Sequence, residues 1–399
     1  HGYGYSFPWP YDSAIPDRFA LMRQAPTFES AFIPPLGPYL IYFVFKIFGD
    51  TTAAVVAIYI MNSLFSAACI PVVYAIAKKI STEMQSRLSA VAAALFLPGV
   101  FAVTTFSASA QYQFLALVVI YLSIQAAQRG QARLFALLGI SAGLLTLARS
   151  EFLIPAFLLF FISSLFYFFK TRNSAVFKNS IIAILLYSAI VAPWTWRNYQ
   201  LYHKFVPVVS HPWHEIWKGY DEYSTGGMMS TVPGRPFWIT PGWHDDIIRR
   251  LDSIPYNALF EIKADAVFKD EALGFIRRNP SQSALMTVKK FIMLWTFDFH
   301  YPMSRHPLYI LCIAAVLIPF LAGFKRLWQQ SFKNREYSVL TIYAIILIYY
   351  SALFSVTVAL PRYQIYIFTL ILPFVGIGYH TIFNKLFKSR SRAPLIQNQ

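Results

Sequence analysis

Apolar residues fill long uninterrupted stretches of this chain, and charged residues are confined to the gaps between them. No Asp, Glu, Lys or Arg occurs in residues 53–77, 88–128, 134–148, 152–169, 179–196, 307–324, 337–361 or 363–384. Each run is near or above the length that a bilayer-spanning helix requires. The run 88–128 is too long for one helix, and its break falls at Ser107-Ala108-Ser109-Ala110-Gln111, so it holds two. The pattern predicts an all-α, polytopic integral membrane protein with about nine transmembrane helices, together with amphipathic helices outside the membrane.

The gaps are as informative as the runs. Residues 1–36 are aromatic and proline-rich, ending in Phe32-Ile33-Pro34-Pro35-Leu36-Gly37-Pro38, a density of proline that disfavours a regular helix. The stretch Tyr39 to Phe48 is too short to span and stops at Gly49-Asp50, so it is expected along the interface. Residues 197–305 form the one sizeable polar region, turn-rich at first and helical later. From Asp265 the residues Ala266, Phe268, Ala272, Leu273 and Ile276 oppose Lys269, Asp270 and Arg277, until Asn279-Pro280 stops the helix. Met286 to Trp295 resumes as an amphipathic helix whose Lys289 and Lys290 predict a position on the outer membrane surface. The chain therefore divides into a first outer loop with its interfacial helix (1–52), membrane helices (53–196), a large outer loop (197–305), further membrane helices (306–384) and a basic tail (385–399).

Charge gives the sidedness. Lys78, Lys79 and Arg87, then Arg129 and Arg133, then Lys170, Arg172 and Lys178, then Lys325, Arg326, Lys333 and Arg335, and finally Lys385, Lys388, Arg390 and Arg392 fall on one side, which the positive-inside rule makes cytoplasmic. Residues 1–52 and 197–305 of this expected bacterial inner-membrane protein then face the periplasm or cell exterior, with the C-terminus in the cytoplasm. Composition agrees: 57% of the residues are hydrophobic and only 13% charged, with a mean hydropathy of +0.48, far from an ordinary soluble domain. The net charge of +16 reports topology and anionic lipid, and no nucleic-acid partner. Cys69 and Cys312 lie in separate apolar runs and imply no disulfide or thiol metal site. The chain starts outside the membrane at His1 with no leading helix, which predicts a further segment upstream.

Two membrane edges pair an arginine with aromatic rings: Pro193-Trp194-Thr195-Trp196-Arg197-Asn198-Tyr199 and Pro361-Arg362-Tyr363-Gln364. A guanidinium at headgroup depth can hold a phosphate bidentately, while the rings offer a stacking surface for a sugar or a polyprenyl chain. With Gly2-Tyr3-Gly4-Tyr5-Ser6, Ala31-Phe32-Ile33-Pro34-Pro35-Leu36-Gly37-Pro38-Tyr39-Leu40, Leu147-Ala148-Arg149, Glu215-Ile216-Trp217-Lys218-Gly219-Tyr220 and Glu271-Ala272-Leu273-Gly274-Phe275-Ile276-Arg277-Arg278-Asn279-Pro280, these segments run in an order that resembles the bacterial GT-C glycosyltransferases. That broad group includes protein O-mannosyltransferases and lipid A aminoarabinose transferases, and the resemblance covers nearly the whole chain.

The resemblance implies an inverting transfer of a sugar from a polyprenyl-phosphate donor to a glycolipid, glycan or protein acceptor at the outer face. A carboxylate would take the acceptor's proton, and cations would steady the departing phosphate. In the family the carboxylate is an Asp ahead of the Gly-Tyr segment, which places it upstream of His1; Asp12 and Asp17 are weak substitutes. Arg362, Arg149 and Arg197, with Tyr363, are the expected donor-phosphate ligands, although an arginine at a helix end also snorkels to lipid headgroups and Arg149 has Glu151 beside it. His211, His214, Trp217 and Gln111 are the expected acceptor or sugar contacts. Gln111 stands where many relatives have an acid, and an amide neither takes a proton nor binds a metal as a carboxylate does. Ile33 replaces the Lys that aminoarabinose transferases tend to carry before the paired prolines. His211-Pro212-Trp213-His214 has only the spacing of a weak metal pair, so no metal site and no cofactor is predicted, a divalent ion remaining open. A lipid-linked sugar transporter or flippase, and an inactive scaffold that binds polyprenyl phosphate, are the competing readings; the lopsided outer loop and the lack of paired, broken halves weigh against the transporter.

Overall fold

The positions that sequence periodicity leaves unexplained, amides and hydroxyls inside apolar runs, show which helices lie at the centre. In the computed structural model residues 29–227, 229, 231, 245–255, 257–298, 300–334 and 336–390 are described. In chain order the helices are α1 (Leu36–Phe48), α2 (Thr52–Ala77), α3 (Glu83–Ala94), α4 (Leu97–Phe101, continued by a 3-10 turn Ala102–Thr104), α5 (Ser109–Arg129), α6 (Ala132–Ala148), α7 (Leu153–Thr171), α8 (Val176–Tyr202), α9 (Pro212–Gly219), α10 (Asp245–Asp252), α11 (Phe260–Arg278), α12 (Pro280–Trp295), α13 (Pro307–Asn334), α14 (Ser338–Val356) and α15 (Pro361–Arg390). No sheet forms among the described residues.

Among the described residues seven helices, α2, α5, α7, α8, α13, α14 and α15, are long and apolar enough to cross a membrane, and α3 with α4, bent by 45°, passes the same test when taken as one span. This is a multi-pass membrane protein. The ninth expected span, α6, has 17 residues, about 25 Å at 1.5 Å per residue, at the lower limit of what a bilayer requires. It packs between α5 and α8 and runs back toward the end of the bundle where Arg149 meets Tyr366. Gly139 and Gly143 allow that approach, since a Cβ on Gly139 would lie 2.3 Å from the Ala183 carbonyl oxygen of α8.

Helices α5 and α15 are the most enclosed, 78% and 72% buried over their apolar windows against 22% for α2. Their polar side chains face protein: Gln113 Oε1 accepts from Thr369 Oγ1 at 3.0 Å, and Gln111 Nε2 donates to Asn62 Oδ1 at 2.8 Å. Asn62 in turn donates to the Val103 and Thr105 carbonyls, so the end of the broken α3–α4 span is tied to α2. A polar group left unpaired at that depth would cost several kcal/mol, on the order of 2–7. Helix α13 crosses α15 where a Cβ on Gly378 would come within 1.7 Å of the Pro319 carbonyl oxygen.

The short apolar stretch after the prolines is helical from Leu36 and closes at Gly49, whose φ of 69° needs no Cβ. Thr82 and Gln85 form a capping box that starts α3. Lys78, Glu83 and Arg87 meet at that end of the bundle, where Gln85 meets His380. The other end gathers the segment around Ala31, the α9–α12 region and the start of α15.

Candidate active site

Helix α15 begins at Pro361, so its first-turn N–H groups and macrodipole favour an anion. Tyr363, one turn in, stacks on Phe354 of α14 at 4.1 Å and 9°. Two guanidinium groups lie over its ring, Arg149 and Arg362, each with Cζ at 5.3 Å from the centroid. Arg149 is also 5.0 Å from the Tyr366 ring, and Tyr366 packs on Tyr112 at 4.3 Å and shares a hydrogen bond with Ser109 Oγ at 3.1 Å. Four separate stretches of sequence thus meet at this point.

Arg149 sits at the end of α6 with extended backbone, φ −153°. Its Nη2 donates to Glu151 Oε1 at 2.8 Å, while its Nε is buried without a hydrogen-bond partner. Arg362 is exposed and makes no hydrogen bond or ion pair among the described residues. Two cations therefore face one aromatic floor with a single carboxylate, Glu151, directly bonded to them.

A second carboxylate reaches the floor from the loop. Glu215 of α9 accepts from Lys218 Nζ at 2.7 Å and from the Tyr363 hydroxyl at 3.4 Å. Burial pushes its acidity down, but the neighbouring cations, Lys218 foremost and Arg362 with it, outweigh that and hold the carboxyl well below the usual range. Burial pushes His211 down to about 3 and His214 further, against Glu215, so both rings are neutral. His211, His214 and Glu215 hold their ligand-capable atoms within 4.8 Å of one another. The first turn of α9 has no cap of its own; Asp265 of α11 accepts the Trp213 and His214 N–H groups at 2.9 and 3.1 Å. Burial raises Asp265 to about 7 in spite of those two donors.

The expected sugar contacts are enclosed. His211, 8% exposed, stacks on Phe32 at 3.7 Å; His214 lies against Phe268 at 5.1 Å. Trp217 packs in a small core with Phe260, Ala264 and Phe268, and Gln111 is sealed between α2 and α5. Of the candidate positions that the sequence offers, Arg149, Arg362 and Tyr363 converge, with α9 alongside. Arg197 does not join them: it donates to the Ser30 carbonyl at 2.8 Å and Asn198 Oδ1 at 3.1 Å, meets Glu29 at 3.7 Å and covers Trp194 at 4.6 Å. Asp12, Asp17 and the Gly2–Ser6 segment lie outside the described residues, as does Trp243.

Three residues escaped sequence reasoning. Glu261 of α11 is buried and accepts from Ala31 N at 3.1 Å, the Tyr202 hydroxyl at 2.7 Å, Ser210 Oγ at 2.6 Å and Ser30 Oγ. It fastens the first loop to the end of α8. Tyr366 follows Tyr363 by three residues on one helical face, a spacing the sequence does show. Lys290 corrects the expected surface placement: its side chain turns inward, donating to the Gly219 and Thr357 carbonyls at 3.2 and 2.7 Å over the Tyr220 ring at 3.5 Å. Burial pushes its ammonium down to about 6. The outward face of α12 is apolar instead, with Leu285, Val288, Phe291 and Ile292 exposed.

The arrangement of the helices is similar to that of solved oligosaccharyltransferases. Residues 33–196 match the family described as dolichyl-phosphate-mannose-protein mannosyltransferase. No curated protein matches the chain. Among solved structures, the archaeal oligosaccharyltransferase AglB of Archaeoglobus fulgidus, in complex with an inhibitory peptide and a dolichol-phosphate, is similar with a TM-score of 0.53 and 14% identity, over 94% of this chain and 45% of that one. The same Archaeoglobus fulgidus enzyme tethered with an acceptor peptide gives 0.53 and 15%, over 97% and 44%; its complex with Zn and sulfate gives 0.50 and 16%, over 91% and 42%. The chain thus spans less than half the length of these oligosaccharyltransferases.

Proposed function

We propose that this protein is an inverting glycosyltransferase that takes a sugar from a polyprenyl-phosphate donor and passes it to a glycolipid, glycan or protein acceptor at the outer face of the membrane. The observation that carries this reading is the convergence of Arg149 and Arg362 on the Tyr363 ring at the start of α15. Two guanidinium groups and a helix N-terminus oppose the charge of a phosphate ester, and the rings of Tyr363, Tyr366 and Phe354 supply an apolar bed for the isoprenoid or the sugar face.

In this reading the acceptor heteroatom attacks the anomeric carbon as the carbon–oxygen bond to phosphate breaks. The electron pair goes to the phosphate oxygen, where Arg149 and Arg362 stabilise it, and the acceptor's proton goes to a carboxylate base. Glu151 and Glu215 are each held by a cation, which suits them to orienting Arg149 and Lys218 and not to accepting that proton. The family match and the likeness to a dolichol-phosphate-bound oligosaccharyltransferase support the donor class.

The test is made with the full-length protein in lipid vesicles containing a radiolabelled polyprenyl-phosphate sugar. Wild-type protein is expected to bind the lipid and consume it, and Arg362→Gln to lose both while keeping its melting temperature. Undiminished donor affinity in Arg362→Gln and in Arg149→Gln would remove the phosphate site; tight binding with no turnover for any acceptor class would favour a scaffold.

A further inference from the structure

The loop helix α9 offers a capacity that the donor site does not use. We propose that His211, His214 and Glu215 form a site for one divalent cation of the zinc class. As a bare spacing, His211 and His214 are a weak pair; the fold supplies the third donor and the enclosure. The ligand-capable atoms of all three residues lie within 4.8 Å of one another. Two imidazoles and one carboxylate are the protein ligands of three-coordinate zinc sites that keep a fourth position open. Such a set excludes Mg²⁺ and Ca²⁺, which require oxygen donors.

The surroundings favour a fixed site over a chance meeting of side chains. His211 Nδ1 is buried without a hydrogen-bond partner, and the ring is held by Phe32. Asp265 fixes the backbone of the same turn through the Trp213 and His214 N–H groups. Phe268 closes over the His214 side. Tetrahedral ligands at 2.0–2.1 Å from a zinc ion stand about 3.3 Å apart, so the present spacing has to close by roughly 1–1.5 Å. Glu215 has the freedom to do it: its Oε1 is held by Lys218, a flexible cation that neutralises the carboxylate as a metal would. Lys218 and the metal ion therefore compete for Glu215. The site stands independently of any phosphate at Arg362.

The experiment uses untagged full-length protein in detergent, stripped with a chelator and titrated with Zn²⁺, and with Co²⁺ as a spectroscopic probe. One equivalent of Zn²⁺ is expected, and Co²⁺ is expected to give the intense visible bands of a four-coordinate site. His211→Gln and His214→Gln should each weaken binding about 1,000-fold, more than the roughly 10–100-fold seen for outer-shell partners. Lys218→Met should tighten it about 10-fold, and His203→Gln, on the exposed end of α8, should leave it unchanged. Less than one equivalent in the wild type, or equal affinity in the wild type and the His211→Gln, His214→Gln double variant, overturns the site. If the double variant fails to fold, Lys218→Met decides: unchanged or weaker binding in that variant also overturns it.

Discussion

Arg197 and Arg362 look alike in sequence and differ in almost every physical respect. Each follows a proline at the edge of an apolar run and has aromatic neighbours, Trp194, Trp196 and Tyr199 in one case and Tyr363 in the other. Arg197 spends its guanidinium on the Ser30 carbonyl, Asn198 and Glu29, and is part of the joint that fastens the first loop to α8. Arg362 has no such partner among the described residues and shares an aromatic floor with Arg149. A guanidinium whose donors are already used adds stability; one whose donors are unused near a second cation raises the local potential and calls for an anion.

That contrast is sharpest in a pair of substitutions. Arg362→Gln is expected to lower turnover of a polyprenyl-phosphate sugar about 1,000-fold, roughly 4 kcal/mol of transition-state stabilisation, with little change in melting temperature. Arg197→Gln is expected to do the reverse, lowering stability by about 1–2 kcal/mol and leaving turnover per folded molecule within about twofold. Denaturant unfolding and vesicle assays on the same preparations measure both. If both variants lose activity in proportion to stability, the distinction collapses.

The joint that Arg197 serves has a larger component in Glu261. Its carboxylate accepts hydrogen bonds from Ala31, Tyr202, Ser210 and Ser30, so Glu261→Ala strands three buried hydroxyl donors, the Ala31 N–H keeping the Tyr202 oxygen, and is expected to cost about 3 kcal/mol. Limited proteolysis in the segment near Ala31 should rise in parallel. Gln in place of Glu keeps the shape but brings two N–H donors where only donors face it, and is expected to recover less than half of the loss.

Lys290 ties the two regions together, because the Gly219 and Thr357 carbonyls it holds end α9 and precede Arg362. Its buried ammonium is pushed from the ordinary value near 10.5 down to about 6, opposed by the two carbonyls and the Tyr220 face. The unfolded chain then binds more protons than the folded one between about pH 6 and 10.5, so this residue makes stability rise with pH across that window. The slope is at most about 1.4 kcal/mol per pH unit for one proton. Lys290→Met is expected to flatten the rise in unfolding free energy from pH 6.5 to 9, measured in denaturant; an unchanged slope would show that the ammonium stays charged throughout.

Much of this architecture could be read from sequence, since a bilayer requires long apolar runs and those runs are plain. The break near Ser107, the short apolar stretch after the prolines and the stop at Asn279-Pro280 all correspond to helix boundaries. What could not be read is the pairing across distance. Asp265 caps a helix some fifty residues away, and Glu261 fastens a segment more than two hundred residues earlier. Neither has any local signature, because a buried carboxylate and a solvated one look the same in a polar stretch. Lys290 misled for a related reason: a lysine on an amphipathic helix marks its wet face on average, yet two exposed ends of backbone at Gly219 and Thr357 drew this one inward. Arg197, the weaker of the two candidates in sequence, is set apart from Arg362 by its partners Ser30, Asn198 and Glu29.

The smallest effect concerns the end of α8, one turn beyond Arg197. His203 closes this helix in the left-handed conformation, φ 51°, with its N–H bonded to the Tyr199 carbonyl at 2.9 Å. A Cβ there costs on the order of 1 kcal/mol relative to glycine, while glycine returns roughly 0.4–1 kcal/mol to the unfolded chain as added backbone freedom. His203→Gly is therefore expected to raise unfolding free energy by no more than a few tenths of a kcal/mol and to leave turnover unchanged. Arg172, at φ 59° on the opposite end of the bundle, gives the same arithmetic without proximity to Arg197. A clear loss of stability for His203→Gly, with none for Arg172→Gly, would show that the His203 side chain itself supports the joint at Arg197 and would extend the structural side of the comparison by one residue.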